Sequence, residues 1–324
     1  MVNTKISALP VATTPVAGTA KIPIVQGGAT KVTTAADLRN TPEPFVMTAQ
    51  ATGSVTASET NTIKMFARSY SGRIMPEFVS ETGVDCFLQP SLINNNLMLW
   101  QPSVGTVAGT ILGNTFTSVG TASHPVLAST NIQTAMRRTN WVTTATTAAT
   151  TCGIRGNVPQ IWRGNAANLG GFHAFFRFSQ NTNLLGHQTF VGLAVSTAVL
   201  GGDPSALTDM IGIGYDGADA IVNGWQLMRN DATGAATKVS LGSSAPRDTS
   251  TVLDLSLYAP ANASFIGVRV YNQSTQTVVL DNVAYTTDLP TNTAFLNFHV
   301  QTRVGTAGAN QNLQLNKIYI DSDV

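Results

Sequence analysis

The sequence predicts an all-β chain with an antiparallel β-sandwich in its C-terminal half. Three observations carry that expectation. Over residues 172–178, Phe172, Ala174, Phe176 and Phe178 alternate with His173, Phe175 and Arg177, the period of two that separates the faces of a strand. Short apolar pieces then follow between loop residues, namely FVGLAV, MIGIGYDG and WQLMRND, at about one per 12–18 residues, close to the rhythm of a sandwich. The composition suits strands and turns, with 28 Gly and 14 Pro in 324 residues and abundant β-branched Thr.

From the N-terminus, residues 1–38 read as a small unit of their own. Ile6, Leu9, Ile22, Ile24 and Val25 supply its apolar positions. Pro10, Pro15 and Pro23 exclude regular helix and central-strand pairing. Gln26-Gly27-Gly28-Ala29-Thr30 reads as a turn between two extended arms, and residues 33–38 fit a capped helical turn. Units below about 40 residues usually need outside support, so this segment is expected to dock on sister chains or on another protein.

Residues 39–72 read as a connector. Pro42 and Pro44 enforce an extended start. Residues 59–70 are expected to form a short helix, because Ile63, Phe66 and Tyr70 recur at i, i+3 and i+7. So narrow a stripe cannot hold an isolated helix, whereas three copies around an axis can. Beyond Gly72 the sequence becomes densely apolar, which puts a domain boundary there and assigns 73–324 to the sandwich.

Inside that domain, residues 103–170 are the least legible. Residues 104–119 alternate weakly, and Trp141 with the Thr/Ala run 143–151 suits exposed edge strands or a loop. No exact repeat of about 20–50 residues occurs, which disfavours a solenoid or a parallel β-helix. After Asn230 the rhythm continues: Leu253, Leu255 and Leu257 share a face, as do Ile266, Val268 and Val270, and Leu296, Phe298 and Val300. Residues 277–280 form a short strand and 313–320 the last one, with turns at 231–234, 260–263 and 288–292.

Charge excludes several function classes. Charged residues make up 11% and the net charge is +1, so there is neither a basic nucleic-acid footprint nor an acidic tail. A chain so poor in charge is better protected from indiscriminate association inside an oligomer. No run of about 18 apolar residues marks a membrane span. The opening MVNTKISALP has no apolar signal core, so the product is expected to be made and kept reduced in a cytoplasm. Cys86 and Cys152 lie far apart and outside any CxxC pair; two half-buried thiols are expected, not a disulfide.

Patterns that carry chemistry are weak. Gly212-Ile213-Gly214-Tyr215-Asp216-Gly217 has the spacing of a dinucleotide fingerprint, but that site needs a helix opening at the third glycine. A strand approach follows instead, so Gly212 and Gly214 are expected to admit a close neighbour. His124, His173, His187 and His299 form no ligand pair, and no nucleophile elbow, phosphate loop or zinc spacing occurs. Asp321-Ser322-Asp323 reads as a solvated end rather than a cation site. Asp216, Asp219, Asn223 and Trp225 have the residue types of a sugar site, yet a core Trp225 sharing a strand with Leu227, beside surface acids, is the favoured reading. No catalytic, cofactor or metal residue is assigned, no ligand-binding residue is named, and the chain is expected not to be an enzyme.

Function comes from a resemblance. The ordered set Ile6-Ser7-x-Leu9-Pro10, Ile22-Pro23-Ile24-Val25-Gln26-Gly27-Gly28-x-Thr30-Lys31 and Ala36-x-Leu38 resembles the N-terminal segment of many bacteriophage fibre and tailspike proteins. Gly72-Arg73-x-Met75-Pro76, Gly83-x-Asp85 and Leu88-Gln89-Pro90 resemble the start of the C-terminal domain of phage fibres. The run from MIGIGYD to TTDLP is similar to their jelly-roll, lectin-like C-terminal region. The resemblance touches most of the chain outside 103–170. It implies a tail fibre of the virion, homotrimeric, anchored to a tail or capsid protein through residues 1–38. It also implies adhesion of the C-terminal domain to a host cell-surface glycan, without a cofactor. A capsid-decorating head fibre is the alternative, a polysaccharide-degrading tailspike the second, and a cellular lectin the most distant; missing β-helix periodicity disfavours the tailspike.

Overall fold

The computed structural model describes residues 21–26, 29–34, 46–51, 55–56, 59, 62–80, 85–87, 95–103, 109–112, 114–166, 169–306 and 308–323. Two compact units divide the chain, Met1–Thr48 and Ala49–Val324. In the first, β1 (Lys21–Gln26) and β2 (Ala29–Thr34) pair antiparallel with Gln26 opposite Ala29, which agrees with the arms read from the sequence. Pro23 fits there because neither strand of a two-stranded ribbon is central. The anchoring motif before Lys21, the helical turn beyond Thr34 and the prolines at 42 and 44 lie outside the described residues.

In the second unit a small sheet comes first, in the order β3 (Ala49–Gln50), β4 (Ile63–Tyr70), β5 (Arg73–Ser80), β6 (Asp85–Phe87). There follow β7 (Asn95–Gln101), β8 (Thr110–Leu112), β9 (Phe116–Val119), β10 (Thr121–Ser123), the single turn α1 (Ile132–Ala135), β11 (Thr139–Val142) and β12 (Thr151–Gly156). Next are β13 (Phe172–Gln180), β14 (His187–Ala194), β15 (Met210–Tyr215), β16 (Gln226–Asn230) and β17 (Thr237–Ser240). The chain ends with β18 (Val252–Ala259), β19 (Ile266–Asn272), β20 (Thr277–Tyr285), β21 (Asn297–Val304) and β22 (Asn312–Asp323). No helix among the described residues is long and apolar enough to cross a membrane.

These strands build two antiparallel sheets. One runs β10-β11-β22-β13-β18-β19-β20, with β7 on β22 and β8 on β7. The other runs β17-β16-β15-β14-β21-β12-β9. The 12 residues of β22 hold β11 over its first part and β7 over its last, with β13 along the opposite edge.

The period of two decides what meets between the sheets. Phe172, Ala174, Phe176 and Phe178 of β13 and Leu253, Leu255 and Leu257 of β18 share one core with Val191 and Leu193 of β14 and Phe298 and Val300 of β21. Each large apolar side chain so buried contributes about 1.5–3 kcal/mol. Gly192 stands opposite Gly212 in the β14–β15 register. A Cβ on Gly212 would lie 2.8 Å from the Gly192 Cα and one on Gly214 would collide with the Thr189 carbonyl oxygen, so Gly212 and Gly214 admit a neighbouring strand, as the sequence suggested. Only a 3-10 turn at Ile221–Asn223 follows the glycine motif, so the dinucleotide geometry is absent there.

Four expectations are corrected. The stretch expected as a short helix is strand β4, because Ser71 and Gly72 adopt φ of +57° and +95° and close a two-residue hairpin turn with Tyr70 opposite Arg73. Alternation then governs: Phe66, Met75 and Glu77 are buried on one face, while Ile63, Met65 and Ile74 are exposed on the other. Trp141 is no edge residue. It is fully buried on β11, its ring 5.6 Å from Trp100. Asp321 is not solvated, since β22 carries it beneath the hairpin, 2.7 Å from the Arg73 guanidinium. Cys152 is a free, fully buried core thiol; burial pushes its pKa well up, and the Cys86 side chain lies outside the described residues.

The β4–β5 turn sits on the outer face of the β13–β18–β19 sheet. Ser71 Oγ donates to the Ser256 carbonyl at 3.0 Å, and Arg269 lies over the Tyr70 ring at 4.7 Å. Gly267 leaves room for it, since a Cβ there would collide with the Ser71 carbonyl oxygen. Gly267→Val is therefore expected to cost about 1–3 kcal/mol and to open residues 62–80 to limited proteolysis while the sandwich persists. Thermal melts and mapping of the first cleavage check this; a variant as resistant as the parent refutes the docking.

His173 lies under the same hairpin, its Nε2 2.8 Å from Ser256 Oγ. Burial, then Arg73, lowers its pKa to about 4, against an opposing pull from Asp321. The unfolded chain takes up this proton near pH 6.5, the folded chain only near pH 4. Between those values unfolding binds a proton, so stability falls with falling pH, by about 3 kcal/mol over the whole window. His173→Gln is expected to flatten the dependence of unfolding free energy on pH between 6.5 and 4, read by guanidinium titrations; an unchanged slope counts against it.

Candidate functional site

Both outer faces of the sandwich are covered in part. The β4–β5 hairpin occupies one. Segment 195–209 crosses the other, where Gln301 accepts from the Leu200 amide at 3.0 Å, His299 lies 2.6 Å from the Ser196 carbonyl, and Arg155 donates to the Thr197 carbonyl at 2.7 Å. Beneath it Phe190, Ala194, Met210 and Met228 form a second apolar cluster.

At one end of the sandwich the loops converge on a polar cleft of about 510 Å³. Arg163 comes from the β12–β13 connection, Asp231 from the β16–β17 turn, and Asn262, Ala263 and Ser264 from the β18–β19 turn. Thr286, Asp288, Leu289, Thr291 and Asn292 come from the β20–β21 loop. The cleft is braced from behind. Arg163 donates from Nε to the Pro290 carbonyl (2.9 Å) and from Nη1 to the Ala263 carbonyl (3.0 Å), which ties two loops together. Burial lowers its pKa, and Asp209 works against that. Asp209 Oδ1 accepts from the Thr291 amide at 2.6 Å and from its hydroxyl at 2.7 Å. Asp288 Oδ2 accepts from Thr237 Oγ1 at 2.7 Å and lies 3.3 Å from Arg229.

Three residues here adopt left-handed backbone: Asp209 at φ +44°, Asn262 at +56° and Asp288 at +49°. Asn and Asp tolerate that region better than other side chains, so the loops have the residue types that their bends require.

The inner surface is uncommitted. The side chains of Asn262, Ser264, Thr286 and Asn292 make no hydrogen bond among the described residues. Asp231 Oδ1 accepts from the Thr233 amide and hydroxyl, which leaves Oδ2 open; Asp288 Oδ1 is likewise open. Trp162 immediately precedes Arg163, and its ring stacks on Phe295 at 4.9 Å and 21° between planes. Phe295 is 47% exposed, three residues after Asn292. Exposed amides, hydroxyls and carboxylate oxygens can hold a polyhydroxylated ligand.

The sequence-derived candidates lie elsewhere. Trp225 is in the core, edge-on to Phe178 and Tyr215 at 5.1 Å each, so its indole faces no ligand. Asp216 and Asp219 are not free surface acids but grip Lys238 Nζ at 2.9 and 2.7 Å. Burial raises the Asp219 pKa, yet hydrogen bonds from Lys238, the Asp216 amide and Gln226 outweigh it and leave it lowered. The Asn223 carbonyl accepts from Ser240 Oγ. His173 and His299 are buried and bonded, and no three His, Cys, Asp or Glu gather as a metal site among the described residues. The loops at 231, 260–263 and 288–292 were legible as turns; their convergence was not.

No family model matches the chain, and no curated relative matches it. Some solved structures resemble it in part. A protein of unknown function from Shewanella oneidensis MR-1 shares 16% identity at a TM-score of 0.46, over 73% of this chain and 90% of its own. A carbohydrate esterase from the Shiga toxin-encoding bacteriophage phi24B shares 16% at 0.38, over 64% and 90%. Arcelin-5, a lectin-like defense protein from Phaseolus vulgaris, shares 10% at 0.42, over 71% and 99%.

Arg163→Met keeps the apolar stem and strands two carbonyls, each hydrogen bond being worth about 1 kcal/mol net. Amide exchange is expected to rise in 260–264 and 286–292, with little change in β13 or β18. Unchanged exchange in those loops would show that Arg163 does not brace the cleft.

Proposed function

We propose that this chain is a fibre of a bacteriophage particle that contacts a glycan on the host surface. Residues 1–38 attach it to a tail or capsid protein, and the sandwich is carried outward. The observation that carries the glycan half of this reading is the end cleft, where uncommitted amides, hydroxyls and carboxylate oxygens converge on a braced frame. The attachment half rests on the resemblance of the N-terminal motif. Binding without turnover is the activity proposed, and the virion is the place of the finished protein.

A homotrimer fits this role, because multiple weak contacts on one particle add up through effective concentration. Ile63, Met65 and Ile74 support self-association. They share the hairpin's outward face, each more than half exposed, and three copies of this uncharged face converging on one axis would cover them without burying charge.

Light scattering of the purified chain at micromolar concentration is expected to give three times 34.0 kDa. Intact particles labelled on this chain should show it at the tail. A monomeric mass sinks the trimer, label on the head replaces the tail fibre by a head fibre, and release of reducing ends from host capsule replaces adhesion by hydrolysis.

A further inference from the structure

We propose that the end cleft selects uncharged, hydroxyl-rich sugars over acidic ones; this deepens, and rests on, the glycan-contact reading. The cleft's walls carry two carboxylates, Asp231 and Asp288, against one guanidinium, Arg163. Arg163 can meet an anion through Nη2 alone. Its Nε and Nη1 hold the Pro290 and Ala263 carbonyls, and turning either toward a ligand would release a loop. Arg229, the next cation, is spent on Asp288 and the Thr287 backbone and lies over the Tyr285 ring at 4.9 Å.

Acceptors are what remain open. Asp231 Oδ2 and Asp288 Oδ1 face no protein donor among the described residues. Sugar hydroxyls can donate to both, and bonds to an ionised acceptor are the stronger kind. The Asn262 and Asn292 amides can then serve hydroxyls in either direction. A uronic or sialic carboxylate placed there would meet like charge from Asp231 and Asp288, which Arg229 beside Asp288 and Nη2 of Arg163 offset only in part.

The test uses the full-length chain on immobilised oligosaccharides of two kinds, neutral hexose and N-acetylhexosamine chains, and sialylated or uronate-bearing chains. Retention is expected on neutral probes, little changed between low and physiological salt. A Ser264→Ala/Asn292→Ala variant, which removes two side chains without protein partners, should weaken it about tenfold, with unchanged circular dichroism. Asp231→Asn, which keeps the shape and drops the charge, should raise retention on acidic probes several-fold. Equal or better binding of acidic probes by the parent chain overturns the selectivity and leaves glycan contact standing. Neutral binding untouched by the double variant moves the site away from the cleft and overturns the proposal likewise. A folded chain retained by no probe, on particles that still adsorb to glycan-stripped cells, brings down the glycan-contact reading itself.

Discussion

Two apolar sheet faces pressed together fix everything else in the larger unit. Each strand of the sandwich has one face to spend on the shared core, and β13 and β18 spend theirs on Phe and Leu. Function is left with the outer faces and the ends. The hairpin of β4 and β5 takes part of one outer face and segment 195–209 part of the other. The loop ends therefore carry the open polar surface, as is usual where a rigid scaffold positions variable loops.

Buried polar groups tie these coverings down at little net gain in stability. Arg73 and Asp321 meet at 2.7 Å under the hairpin with Asp321 almost wholly buried. Desolvation offsets much of what such a pair gains, whereas losing one partner leaves an uncompensated charge. Arg247 makes the point without a carboxylate. It is fully buried, stacks on Tyr215 at 3.6 Å, and donates to the carbonyls of Asp219 and Leu184. It thereby holds two loops at the end of β14 and β15, so both ends of the sandwich use an arginine bound to backbone carbonyls as a brace.

Much of the sandwich was legible because its strands are long and strictly alternating. Phe172 to Phe178, Leu253 to Leu257 and Leu296 to Val300 all point where the period of two sends them. The hairpin was misread because Ile63, Phe66 and Tyr70 happen to satisfy helical spacing, while Ser71-Gly72, the pair that closes the turn, is a shorter signal. Trp141 was misplaced for another reason. Its strand spans only four residues, too few to show a period, and what makes it an inner strand is β22, 170 residues and more further on. The cleft was illegible in principle. Arg163, Asp231, Asn262 and Asp288 belong to separate loops, and only the strand order brings them together.

That origin bears on what such a site can do. Loops braced from behind by Arg163, Asp209 and Arg229 lose little freedom when a ligand arrives, so the entropy of ordering them is already spent. The open side chains, in contrast, are short and exposed, and on the proposed reading each sugar hydroxyl would exchange water for a protein partner at small net gain. A rigid frame with shallow, solvated contacts would give the proposed site selectivity in geometry and charge at weak affinity. Weak single sites suit a particle that presents many of them, because attachment then depends on the number of contacts made at once, and any one can be released without losing the surface.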